Sequence, residues 1–138
     1  MNKREWVIGI THLIKPPFDP ETAAFHGRAS FVHFPSRDEV DFPMDALPPL
    51  DAFLVWTPSI RANTINQLSN CKIIVRYGVG YDKIDLVDLD RAGIAFSNNP
   101  EYGPEDVADT AMGLILALQR RLVQHNALAK GYFDTWQE

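Results

Sequence analysis

The sequence of 138 residues has little cysteine, no excess of positive charge and no long apolar run. Its single cysteine, Cys71, excludes an internal disulfide and a cysteine-based zinc site. Thirteen Lys and Arg against eighteen Asp and Glu give a net charge of −5, which disfavours electrostatic binding to nucleic acid or to an anionic membrane. The uncharged run at 110–119 is about half the length that a membrane-spanning helix needs. The charged N-terminus is unlike a signal peptide, so we expect a soluble, cytoplasmic protein.

Prolines are missing after Pro104, and this divides the sequence into two parts. In the first part, short apolar runs bounded by turn residues predict five strands, at 6–10, 31–34, 52–56, 72–77 and 94–97. Helical patterns at 61–69 and 86–92 alternate with the later strands, whereas the proline-rich stretches 11–20 and 36–49 predict a loop and a connector. The alternation indicates an α/β fold around a parallel sheet with both faces covered.

The second part predicts one long helix from about Pro104 to His125, with Gly103 as its N-cap. Glu105 and Asp106 then lie at the positive end of the helix dipole. Apolar residues recur at helical spacing along a broad stripe, formed by Val107, Ala111, Leu114, Leu118 and Leu122 and widened by Ala108, Met112, Ile115 and Leu116. A stripe this wide predicts a helix that docks on a second copy or leaves apolar surface exposed.

Arg76 and two glycines, Gly78 and Gly80, follow the fourth predicted strand directly. Glycines at this spacing let the backbone turn and offer successive N–H groups, and an arginine beside them can clamp a carboxylate. Ligands of open α/β sheets bind beyond the carboxyl ends of the strands, where this loop belongs. The alternative is a tight turn with a surface arginine. The loop is not a dinucleotide-binding fingerprint, because the third glycine would fall at Lys83.

The longer run CKIIVRYGVGYDKIDLVDLDRAGIAFSNNPEYGPEDVADTAMGLILALQRRL makes the prediction more specific. Its ordered pattern R-x-G-x-G-x-D-x-I-D, G-I, N-x-P and V-A-D resembles the signature of the NAD-dependent D-isomer-specific 2-hydroxyacid dehydrogenases. This family includes phosphoglycerate dehydrogenases, glyoxylate/hydroxypyruvate reductases and C-terminal-binding proteins. The resemblance implies a flavodoxin-like, substrate-binding lobe over residues 1–102. Residues 103–138 would be the connecting helix and the start of a dinucleotide-binding lobe.

The resemblance also implies site residues. Arg76 and the backbone amides of Val79 and Gly80 would hold the carboxylate of a small 2-keto or 2-hydroxy acid, and Val107 would touch the nicotinamide of NAD or NADP. His12, Trp56 and Thr57 follow other predicted strands at the same sheet edge. They would line the substrate cleft, or alternatively be a capped loop histidine and a packed tryptophan with its neighbour.

No catalytic residue is assigned within the 138 residues, and no metal site is expected. In the family pattern, the Rossmann glycines and the catalytic Arg, Glu and His correspond to positions beyond residue 138. We therefore expect the N-terminal portion of an oxidoreductase, inactive and without cofactor affinity as this chain alone. The alternative is a non-catalytic dimerisation or interaction module that forms a homo-oligomer through the long helix.

Overall fold

The computed structural model describes residues 5–11 and 14–131. The chain forms two compact units, Met1–Pro100 and Glu101–Glu138. The candidate cleft residue His12 lies outside the described residues.

The first unit is built on a sheet of five parallel strands in the order β2-β1-β3-β4-β5. The strands are β1 (Trp6–Thr11), β2 (Ala29–Phe34), β3 (Ala52–Val55), β4 (Ile73–Arg76) and β5 (Ala95–Ser97). Each overlaps a predicted strand, and the α/β class with a parallel sheet flanked by helices is confirmed.

Three helices connect the strands: α1 (Asp19–Ala24), α2 (Ala62–Ile65) and α3 (Leu86–Ala92). The predicted loop 11–20 is wrong at its end, because Pro20 lies in the first turn of α1, where a missing N–H breaks no helical hydrogen bond. The predicted connector 36–49 contains two 3₁₀ turns, Glu39–Asp41 and Met44–Ala46. Helix α2 is shorter than the sequence pattern suggested.

The main core lies on one face of the sheet. Phe53 and Ile74 are fully buried there with residues from the 3₁₀ segment, α2 and α3, among them Leu47, Ile65 and Leu89. The core depends on a glycine in the central strand β1. A Cβ at Gly9 would come within 2.7 Å of the Phe53 ring and 2.8 Å of Leu50, so no larger residue fits without a shift.

The opposite face of the sheet is covered less completely. Phe18 and Phe25, which flank α1, pack against Phe31 of β2 with ring centroids 5.6 and 6.2 Å apart. Over β3 and β4, however, Leu54 and Val75 are only half-buried. The expectation that both faces of these strands are covered therefore holds for one face within the described residues. Residues flanking the six-residue α1 pack on part of the other face.

The second unit holds α4 (Pro104–Gln119) and α5 (Leu122–Gly131). The expected single helix is wrong near its C-terminal end, because Arg121 has the left-handed φ of 50° and interrupts the helical hydrogen bonds. Its carbonyl then accepts from the N–H of His125 and begins α5. Neither helix has a buried residue, and Leu118 is 79% exposed. In the described part of the chain, no helix is long and apolar enough to span a membrane.

Candidate active-site loop

Three neighbouring strands, β1, β3 and β4, end at one edge of the sheet. The amide of Trp56 donates to Thr11 Oγ1 at 2.8 Å, and the amide of Tyr77 donates to the carbonyl of Val55 at 3.0 Å. The rings of Trp56 and Tyr77 lie 5.7 Å apart. Because Val55 pairs with Arg76, the structure places Trp56 and Thr57 close to the residues around Arg76.

Arg76 is half-buried and turns back on its own loop. Its Nε donates to the carbonyl of Gly80 at 2.9 Å. Its Nη1 is buried and has no hydrogen-bond partner among the described residues. A buried donor without an acceptor is costly, so this nitrogen is suited to donate a hydrogen bond to an anionic oxygen.

Among the described residues, the glycine loop, residues 78–80, has its carbonyls occupied and its amides unpaired. The carbonyl of Gly78 accepts from the Asn99 amide at 3.3 Å, and that of Val79 accepts from Asn98 Nδ2 at 2.8 Å. Within the described residues, the N–H groups of Gly78, Val79 and Gly80 donate to no protein acceptor. A Cβ at Gly78 would meet nothing within 4 Å, which leaves open space beside the loop. The loop can therefore accept a small anion at its amides.

The segment after the glycine loop is fastened to the chain that follows β3. The amide of Ile60 donates to the carbonyl of Lys83 at 2.9 Å, and Lys83 Nζ donates to the carbonyl of Thr57 at 3.3 Å. Asp85 then caps α3 by accepting from the amide of Asp88 at 3.1 Å. Asp85 is thus the N-cap residue of α3.

Tyr77 and Glu21 were not singled out in the sequence. The Tyr77 hydroxyl donates to Glu21 Oε1 at 2.7 Å, and the other carboxylate oxygen, Oε2, is buried without a partner in the described part of the chain. Burial, together with the hydrogen bond to Glu21, raises the pKa of Tyr77 above its ordinary value. The sequence offers no signal for this pair, because α1 was not predicted and the two residues are 56 positions apart.

In the second unit, Val107 lies in the first turns of α4 and is 70% exposed. It borders an open, mostly apolar depression of about 400 Å³, together with Asp106, Thr110, Ala111 and Leu114. No cluster of three metal-ligating side chains exists among the described residues.

Comparison with known sequences finds relatives that are named as reductases of 2-keto acids. Glyoxylate/hydroxypyruvate reductase A of Arabidopsis thaliana is 49% identical over 63 residues, which is 46% of this chain and 20% of the relative. Glyoxylate reductase of Thermofilum pendens is 33% identical over 102 residues, 72% of this chain and 29% of the relative. The chain thus spans less than a third of the length of these relatives.

Solved structures share the fold. D-lactate dehydrogenase from Aquifex aeolicus, complexed with NAD and lactic acid, superposes with a TM-score of 0.75 at 23% identity, covering 93% of this chain and 38% of the enzyme. The NADPH-dependent glyoxylate/hydroxypyruvate reductase of Sinorhizobium meliloti, in complex with NADP and malonate, gives a TM-score of 0.68 at 23% identity over 94% of this chain and 41% of that one.

The sequence profile of the D-isomer specific 2-hydroxyacid dehydrogenase catalytic domain matches residues 13–135, nearly the whole chain. This match includes the glycine loop with Arg76 and the start of α4. The chain therefore belongs to the D-isomer specific 2-hydroxyacid dehydrogenase family.

Proposed function

We propose that this chain is the substrate-binding portion of an NAD(P)-dependent oxidoreductase that transfers a hydride between the cofactor and a small 2-hydroxy or 2-keto acid. The observation that carries the proposal is that, within the described part of the chain, Arg76 Nη1 is buried without a partner and the amides of the adjoining glycine loop are unpaired. Family membership supplies the reaction class. The ligands named for two solved neighbours, lactic acid and malonate, both carry a carboxylate.

In this proposal Arg76 and the amides of Val79 and Gly80 hold the substrate carboxylate. Arg76 supplies a charge-assisted hydrogen bond, while its Nε remains committed to the loop and keeps the guanidinium in place. Trp56 and Thr57, at the end of β3, face the remainder of the substrate and set its size. Residues at the end of β3 thereby select the acid by its side chain, and residues at and after the end of β4 bind its carboxylate.

The residues of α4 fit only one end of the cofactor. The apolar surface around Val107 suits the face of a nicotinamide ring, and NAD(P), when bound, exchanges the hydride. The helix N-terminus is unsuited to the pyrophosphate, because Glu101, Glu105 and Asp106 surround it. We therefore propose that the 138 residues alone have no useful NADH affinity and no dehydrogenase activity. Fluorescence titration with NADH and assays with glyoxylate, hydroxypyruvate and pyruvate test this, and saturable turnover would contradict it.

Carboxylate binding can be tested on the chain itself. We expect glyoxylate to shift the NMR amide signals of Gly78, Val79 and Gly80. Arg76→Met removes the charged donor and should weaken binding by about tenfold or more. Arg91→Met is the matched control, because it also removes one positive charge but from an exposed arginine paired with Asp88. Equal losses in the two variants, or no shifts at the loop, would refute the site.

A second candidate function is a non-catalytic dimerisation module. The exposed apolar residues of α4 and α5 favour it, including Leu114, Leu118 and Val123, each more than half exposed. Homo-oligomerisation through these helices is compatible with both candidates. Catalytic activity, assayed in a protein that also contains a dinucleotide-binding lobe, separates them.

A further inference from the structure

A side-chain hydrogen bond joins α1 to the start of the glycine loop. Tyr77 stands between Arg76 and Gly78, and its hydroxyl donates to Glu21 Oε1 at 2.7 Å across 56 residues of sequence. Glu21 lies in α1, the helix that packs on the opposite sheet face from the main core. The loop that offers the unpaired amides is therefore anchored to a second element through the residue directly before it.

The ring and backbone of Tyr77 are held as well. The centroid of its ring lies 5.7 Å from that of Trp56, and the Tyr77 amide donates to the carbonyl of Val55. Trp56 is in turn tied to Thr11 at the end of β1. Tyr77 is thus the residue through which three strand ends and α1 meet the glycine loop.

Stability alone does not account for this arrangement. Glu21 Oε2 is buried without a partner among the described residues, and a buried, unsatisfied carboxylate oxygen destabilises the folded state. The remaining oxygen receives a short hydrogen bond from a phenol that stays protonated, since its pKa is raised. A strong, directional bond that is kept at such a cost is suited to fixing geometry.

We propose that Tyr77 is a positioning residue, which, with Glu21 as its acceptor, orders the glycine loop so that its amides are ready for a carboxylate. The inference rests on the proposed function, because the ordered amides are those of the carboxylate site. The other contacts of the glycine loop come from Asn98, Asn99 and Arg76 and hold the loop carbonyls. Tyr77 holds the point at which the chain enters the loop. A loop ordered in advance binds more tightly because less conformational freedom is lost on binding.

The test uses the isotope-labelled 138-residue chain and the variants Tyr77→Phe and Glu21→Gln. Tyr77→Phe keeps the ring against Trp56 but removes the donor. We expect glyoxylate affinity to fall about three- to tenfold and the backbone order parameters of Gly78, Val79 and Gly80 to fall in the free chain. Glu21→Gln keeps an oxygen acceptor for the phenol and should retain most of the affinity and the loop order.

The outcomes separate the two proposals. Unchanged affinity and unchanged loop order in Tyr77→Phe would overturn the positioning role, while the Arg76→Met result decides the carboxylate site independently. If the parent chain does not bind glyoxylate, the carboxylate site fails, and the order parameters of the free loop still decide whether Tyr77 positions it. A purely structural role would lower the unfolding midpoint of Tyr77→Phe and leave both loop readouts unchanged at temperatures well below unfolding.

Discussion

Cys71 is the single thiol of the chain, and its surroundings make it inert. It is 4% exposed, and its Sγ donates to the carbonyl of Ile73 at 3.3 Å. Burial raises the pKa of Cys71 from 9.0 to about 11, so the thiol stays protonated at physiological pH. Cys71 is therefore a small core residue rather than a nucleophile.

The raised pKa of Cys71 predicts a loss of stability in alkaline solution. The folded state favours the neutral thiol, so this contribution is complete below pH 9 and is lost as the pH rises toward 11. Between about pH 8 and about pH 10 the free energy of unfolding should fall by about 1 kcal/mol through this residue. Urea unfolding at the two pH values measures it. Cys71→Ala should show a smaller fall, and an equal fall in both proteins would assign the effect elsewhere.

Single residues differ in how far the sequence could reveal their roles. Arg76 could be named as a candidate carboxylate ligand because the arginine and the glycines are adjacent in sequence, and local spacing determines what they can do. Tyr77 lies in the same run, but its partner is on α1 and its role depends on a tertiary contact. Glu21 had no local signal at all. Residues that act through distant partners become visible only once the fold is known.

At the scale of elements, α2 is a helix of four residues that depends on a carboxylate from another segment. Its N-cap position, Arg61, makes no side-chain cap. Instead Glu39 Oε2, from the first 3₁₀ turn, accepts from the Arg61 amide at 2.9 Å and from the Thr64 hydroxyl. The connector between β2 and β3 thereby completes the start of α2.

Removing this cap should destabilise the first unit. Glu39→Ala leaves the Arg61 amide and the buried Thr64 hydroxyl without their acceptor, at a cost of about 1–2 kcal/mol. Glu39→Gln keeps one oxygen and should lose less. Denaturant unfolding with Asp45→Ala as control is suitable, because Asp45 is an exposed acidic residue of the neighbouring 3₁₀ turn. Equal effects of Glu39→Ala and Asp45→Ala would rule out the cap.

Strands were predicted better than helix limits, for a physical reason. Short apolar runs such as β3 are constrained by burial of at least one face, and the sequence shows this directly. Helix α1 is signalled weakly, since its prolines suggest a loop and its stabilising contacts come from Phe18 and Phe25 packing on β2. The break after α4 lies at Arg121, whose backbone is left-handed. An arginine in the sequence does not predict this conformation.

At the scale of the molecule, the second unit exposes an apolar surface to solvent. Leu118 is 79% exposed and Leu114 is 61% exposed along α4. We expect the chain to self-associate through this surface. The apparent size in sedimentation should rise as the protein concentration is increased about 100-fold.

Charge substitution on α4 tests the surface involved. Leu118→Glu should shift the chain toward monomer, because association would then bury an unpaired charge. Val87→Glu is the matched control, since Val87 is an apolar residue of α3 that is 60% exposed. A strict monomer in the parent chain, or an equal shift in the two variants, would exclude α4 as the interface.

The order of the strands has a consequence for how the chain is made. The first strand, β1, stands inside the sheet between β2 and β3, and the amide of Val7 is bonded to Asp51, 44 residues later. During synthesis β1 and β2 emerge first, yet one edge of β1 stays open until β3 leaves the ribosome. Contacts this distant in sequence form slowly, and an open strand edge can recruit another chain. The emergence of β3, which ends at Val55, therefore marks the point at which the nascent chain closes the inner side of β1.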